Sequence, residues 1–147
     1  MILCPWFQFE EFLVSSDHPE LVVPVEDLDT DTIVNIMRLG WGVMFGLRER
    51  FGPIVISSGH RSRELNAAVG GKENGRHMSG CATDFRFLRY PVDKVWKAIL
   101  DGDVRAMWDR LAFYEGRGRF HVDINPDSAE QRGLLYLADG GWRPAQT

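Results

Sequence analysis

The sequence predicts a single α+β domain in which helices pack on a largely antiparallel sheet, and three observations carry that expectation. Apolar residues recur at helical spacing in the first third of the chain, short strand-like runs dominate the remainder, and Gly116-Arg117-Gly118 divides two of those runs as a hairpin turn would. The 147 residues, 44% of them hydrophobic, suffice to bury one core without disulfides.

Residues 1–30 read as a lead-in, with Phe7 to Val14 a short amphipathic helix. Asp29, Thr30 and Asp31 offer N-cap oxygens to a long helix, which Ile33, Ile36, Met37, Trp41, Met44, Leu47 and Phe51 continue until Gly52-Pro53 stops it. Gly40, Gly42 and Gly46 weaken this helix and so suggest another backbone lying close to its face. Ile54-Val55-Ile56 reads as a buried strand that delivers Ser57-Ser58-Gly59 to a loop. Arg61 to Val69 forms a short helix closed by Gly70-Gly71, and Lys72 to Gly80 is a polar loop. Ala82 to Leu88 is a strand; Pro91 opens a helix whose apolar face is Val92, Val95, Trp96, Ile99 and Leu100. A further short helix is expected over Val104 to Leu111, then the hairpin strands Leu111 to Glu115 and Arg119 to Ile124. Residues 125–147 supply a last strand, Leu134 to Leu137, and a tail.

Composition narrows the function classes. A formal charge of -4 supplies no global positive field for a phosphate backbone, so a nucleic-acid partner is not expected. Arg48 and Arg50 read as a solvated helix face. No apolar run reaches membrane-spanning length, and acidic Glu10 and Glu11 interrupt any secretion signal at the start. Cys4 and Cys81 are too few for a disulfide framework, and synthesis in a cytoplasm is expected.

His77 in the loop, Asp84 on the next strand and His121 on the hairpin are three potential metal ligands at the ends of separate elements. Zn2+ in catalytic sites takes three nitrogen or carboxylate ligands and leaves a fourth position for water. Taken singly, each residue has a plainer reading: a strand histidine more often hydrogen-bonds in place, and an aspartate more often caps or pairs. Cys81 would be a metal-ligand neighbour of His77 only in a helix, which Ser79 and Gly80 oppose, so it reads as a small buried thiol. His18 reads as a surface residue, and Gly71-Lys72 fails as a phosphate loop because Glu73 stands where Ser or Thr is needed.

The surrounding residues shift that balance. Ser58-Gly59-His60-Arg61-Ser62, then Asn66 with Gly70-Gly71, then His77-Met78-Ser79-Gly80-Cys81-Ala82-Thr83-Asp84, resemble in order and spacing the zinc D-Ala-D-Ala carboxypeptidase family. That family carries Ser-Gly-Tyr-Arg-Ser, Asn-x-x-x-Gly-Gly and His-x-x-Gly-x-Ala-x-Asp, and Phe120-His121-Val122-Asp123 looks like its late histidine strand. The likeness runs from Phe7 to about Ile124 and includes phage-encoded L-alanyl-D-glutamate endopeptidases. It implies a Hedgehog-like fold, Zn2+ held by His77, Asp84 and His121, and Arg61 facing substrate or a developing oxyanion; the plainer reading of Arg61 is a helix cap or a pair with Glu64. It implies a metallopeptidase acting on bacterial peptidoglycan, as an endolysin or a D,D-carboxypeptidase; the alternative is a zinc-stabilised, non-catalytic wall-binding or virion module of the same fold.

The chain departs from the pattern at three places. Gly118 stands where carboxypeptidases carry an acidic residue three positions before the last histidine. Glu115, six before His121 as in Hedgehog domains and several phage members, is the preferred general base, against a solvated turn residue. Asp123 shares a strand face with His121, so it either orients that ligand or serves as the alternative base. His60 replaces an aromatic residue, and Arg76 stands where a small or amide residue is common.

Overall fold

The computed structural model describes residues 1–145. The last two residues of the expected tail lie outside the described residues. Strands β1 (Ile2–Cys4) and β2 (Phe7–Gln8) form a small antiparallel ribbon against the long helix. The expected helix over Phe7 to Val14 is instead β2 followed by a single 3-10 turn, Phe9–Phe12. A segment this short cannot nucleate a helix unaided, and pairing with β1 buries Phe7, Phe9 and Phe12 more effectively.

The long helix runs from Thr30 to Phe51 with an internal change of pitch. Helix α1 (Thr30–Leu39), capped by Asp29 Oδ1 on the Thr32 amide at 2.7 Å, passes into a π turn over Gly40–Met44 and then α2 (Phe45–Phe51). The wider turn rotates the later residues about the axis. Leu39, Val43, Met44 and Leu47 face the core, while Met37 and Trp41, expected on the apolar face, are 45% and 50% exposed. Of the three helix glycines only Gly40 meets a close neighbour, the Leu3 side chain; nothing stands within 4 Å of a Cβ at Gly42 or Gly46, so the expected backbone approach there does not occur.

The main sheet has six strands in the order β3-β4-β6-β5-β7-β8: β3 (Ile54–Ser58), β4 (Ala82–Phe87), β5 (Arg110–Tyr114), β6 (Arg119–Asp123), β7 (Leu134–Leu137) and β8 (Arg143–Pro144). All pairings are antiparallel except β5 with β7. Helix α3 (Arg63–Ala68) follows β3 and helix α4 (Val92–Leu100) follows β4. The helix expected over Val104 to Leu111 is absent: Trp108 and Asp109 backbone groups bond instead to Gly133, Leu134 and Asp123, which draws the chain into β5.

Alternation along β4 and β6 separates chemistry from packing. Phe85, Phe120 and Val122 are fully buried on the helix side, where Phe120 stacks on Phe113 at 4.7 Å between ring centroids and Trp96 of α4 lies over Phe113 at 5.1 Å. Each such aromatic pair adds about 1 kcal/mol beyond area burial. Asp84 and Arg86 of β4, with Arg119, His121 and Asp123 of β6, occupy the opposite face. A one-residue slip would exchange the two sets, so the aromatic core fixes the register that presents the polar residues.

Candidate metal centre

The β4 and β6 register sets Asp84 directly opposite His121. His121 Nδ1 lies 2.9 Å from Asp84 Oδ1, and His77 Nε2 lies 3.5 Å from Asp84 Oδ2. One donor atom from each of the three falls within 4.8 Å of the others, and all three residues are buried. Donors about 3.4 Å apart are what tetrahedral coordination with bonds near 2.1 Å demands. The three residues picked from separate stretches of sequence are thus brought together, and the group can hold a divalent metal.

The second nitrogen of each histidine is already committed. His77 Nδ1 donates to the Gly59 carbonyl at 2.8 Å, which leaves Nε2 as the free lone pair. His121 Nε2 donates to Asp123 Oδ2 at 3.0 Å and leaves Nδ1 directed at Asp84. Such outer partners fix the tautomer and ring orientation that a metal ligand needs. Burial lowers the His77 pKa, despite the attraction of Asp84, and so keeps that ring neutral. Burial also opposes the charged form of His121, but Asp123 and Asp84 outweigh it and raise its pKa to about 9. Asp84, although buried, is held well below the usual carboxylate range by His77 and His121. With a carboxylate oxygen on each ring nitrogen, His121 calls for a cation at Nδ1, a demand that a proton or a metal can satisfy.

Local sequence builds the walls. Ser62 caps α3 through its hydroxyl on the Leu65 amide at 3.1 Å. Asn66 of α3 reaches the Lys72 carbonyl at 3.1 Å while its own carbonyl accepts from Gly71, so the Asn and Gly-Gly motif pins the start of the loop that carries His77. Arg61 N bonds the His77 carbonyl at 3.0 Å. The Arg61 side chain pairs with Asp84 Oδ2 at 3.2 Å and Ser58 Oγ at 3.1 Å rather than with Glu64. It borders a cavity of about 340 Å³ that His77, His121, Asn66 and Trp142 also line. Glu115 lies exposed in the turn Glu115–Arg117, just beyond β5, with Gly118 in the left-handed region at φ 60° closing the hairpin.

Asp123 does more than touch His121. It is fully buried and receives Arg76 at 2.6 Å and Arg110 at 2.7 Å. Arg76 also reaches buried Asp109 at 2.6 Å, and Arg132 pairs with Asp109 at 2.7 Å. This ionic cluster braces His121 from behind and gives Arg76 its role. Asp109, Arg110 and Arg132 went unseen in the sequence because nothing in their spacing announces the cluster; the one available signal is that Arg110 opens an otherwise apolar strand. Trp142, from the tail, packs edge-on against His121 at 5.1 Å and lies under Arg110 at 5.2 Å.

The other singled-out residues fall outside the donor set. His60 is buried with its backbone amide on the Phe12 carbonyl at 2.7 Å, and burial lowers its pKa against a bond to the Met78 backbone. Cys81 is a fully buried thiol whose pKa burial raises. His18 pairs with Glu20 at 3.0 Å. Among the described residues no helix is long and apolar enough to cross a membrane.

No curated protein matches the chain. A family model described as Peptidase M15 matches residues 8–123, a span that contains Arg61, all three metal-donor residues, Glu115 and Asp123 and stops short of Arg132 and Trp142. With that match over most of its length, and a buried pair of histidines converging on an aspartate, the chain belongs to the M15 peptidase family.

Proposed function

We propose that this protein is a zinc-dependent peptidase that hydrolyses a peptide bond in the stem peptides of bacterial peptidoglycan, as an endolysin-like endopeptidase or a D,D-carboxypeptidase. The observation that carries the reading is the donor set itself: His77 Nε2, Asp84 and His121 Nδ1, with both remaining ring nitrogens anchored. Two nitrogens and a carboxylate suit Zn2+, which when bound polarises a carbonyl and acidifies water.

The side chains divide the rest of the work. Arg61, at the cavity rim, can hold the substrate carbonyl oxygen as charge develops on it, through the charge-assisted donation that guanidinium groups supply. Glu115 is the base that accepts the water proton: it borders neither cavity that Asp84 or His121 lines, but its exposed carboxylate at the hairpin end is free, among the described residues, of the ion pairs that occupy Asp123. Asp123 acts as the positioning residue for His121. Trp142 and Asn66 wall the cavity and exclude water around the bound peptide.

The test is zinc-loaded protein incubated with purified peptidoglycan, read by new amino termini and by fragment masses that identify the bond. Glu115→Gln is expected to keep its zinc and lose about 10²- to 10⁴-fold in kcat. The exposed position of Glu115 also favours a second reading, a zinc-stabilised module that binds cell wall without turnover. Full zinc occupancy with no fragment release would favour that reading.

A further inference from the structure

Asp84 and His121 are neighbours in one row of a sheet face, and the row continues. One pair further the register reaches Phe85 and Phe120, and carried one residue beyond, it sets Arg86 of β4 opposite Arg119 of β6. Side chains two residues along a strand return to the same face about 7 Å away. Both guanidinium groups therefore stand beside the metal donors on the same side of the sheet.

They line a polar cavity of about 370 Å³ that Arg61 and Asp84 border from the metal side and that Ser15, Ser57, Ser58 and Arg117 help to close. Four arginines line it against Asp17 and the metal donor Asp84, in a chain whose formal charge is -4. Among the described residues Arg86, Arg117 and Arg119 form no ion pair. Arg119 Nε is buried with no hydrogen-bond partner, although its guanidinium lies 5.0 Å from the Tyr114 ring. Like charges opposite each other across two strands destabilise a sheet, and a buried donor left unpaired costs free energy. An anion between the guanidinium groups relieves their repulsion.

The geometry points to this cavity as a carboxylate subsite: it receives a free carboxylate of the substrate peptide beside the scissile bond, through Arg119 and Arg86, so that the enzyme selects anionic peptides. This rests on the peptidase reading for its substrate, and on the arginine row alone for its anion. Arg61 borders both cavities, so the arginine pocket lies next to the cavity that His77 and His121 line.

The experiment uses three peptides: a stem pentapeptide ending in D-Ala-D-Ala with free D-glutamate and C-terminal carboxylates, and two counterparts in which one or the other is a carboxamide. Calorimetry measures their binding to zinc-loaded wild type, Arg119→Gln and Arg86→Gln, and hydrolysis is followed in parallel. The parent peptide should bind about tenfold tighter than one of the carboxamides, the strength of a charge-assisted contact, and that preference should fall to within about twofold in each variant. Equal binding of all three peptides by the wild type overturns the subsite, as does a preference that survives both substitutions. Carboxylate preference without hydrolysis keeps the subsite and removes the peptidase reading. Hydrolysis without preference does the reverse.

Discussion

Asp123→Asn separates two roles that the site residues could divide differently. The asparagine keeps the shape and can still accept from His121 Nε2, but it removes the charge that Arg76 and Arg110 meet at 2.6 and 2.7 Å. Arg76 retains Asp109, whereas Arg110 has no other ion pair among the described residues. Removing one partner of a buried ion pair costs about 3–5 kcal/mol, and the retained hydrogen bonding places this change at about 3. In a domain of this size that lowers Tm by roughly 6–12 °C. The loosened His121 ring should weaken zinc binding about 10- to 100-fold, the usual effect of losing an outer partner. A competition titration against a chromophoric chelator, run well below the new Tm, measures the affinity; saturating zinc then restores most of kcat. Wild-type zinc affinity together with a kcat loss of a hundredfold or more that saturating zinc does not restore would make Asp123 the base and refute the positioning role.

Three further outcomes follow from named contacts. Gly59→Ala places a Cβ against the Phe12 carbonyl while Gly59 O holds His77, so it should cost about 2 kcal/mol in urea unfolding and weaken zinc binding together. Asp109 is held below its ordinary value of 3.8 by Arg132 and Arg76 against the effect of burial. A depressed carboxylate contributes stability above its unfolded value and loses it as pH falls through the folded one; wild type should therefore lose stability below about pH 3.8, and Asp109→Asn should show a shallower loss between pH 5 and 3 in urea titrations. Trp142→Ala opens the cavity wall beside His121 and should raise KM several-fold with kcat changed far less, since the indole supplies no metal-donor atom; an unchanged KM would remove the tail from the substrate site.

The convergence of the three candidate donors was legible because their chemistry is tied to residue type and their spacing to one known pattern: His77 and Asp84 lie seven apart across a glycine-bearing loop, and His121 sits on an alternating strand. Most strands were legible for the same local reason, as alternation or β-branching marks Ile54–Ser58 and Arg119–Asp123 directly. What escaped depended on distant partners. Gly40, at the start of the pitch change, is where Leu3 of β1 packs against the helix, and the irregular chain that stands in place of the expected helix before β5 is tied to Asp123, Gly133 and Leu134. The ionic cluster of Asp109, Arg110 and Arg132 joins residues from two loops and a strand, and no local pattern encodes such convergence. Trp142 lies beyond the reach of the family pattern altogether.

The central claim is that His77, Asp84 and His121 together hold one catalytic metal ion. Metal content by mass spectrometry after zinc loading and exhaustive dialysis tests it most directly, on wild type beside His77→Ala, Asp84→Ala and His121→Ala, with folding verified by circular dichroism. The account predicts one zinc per wild-type chain and about a tenth or less in each folded variant. Stoichiometric zinc in any one of the folded variants, or none in the wild type, would contradict it.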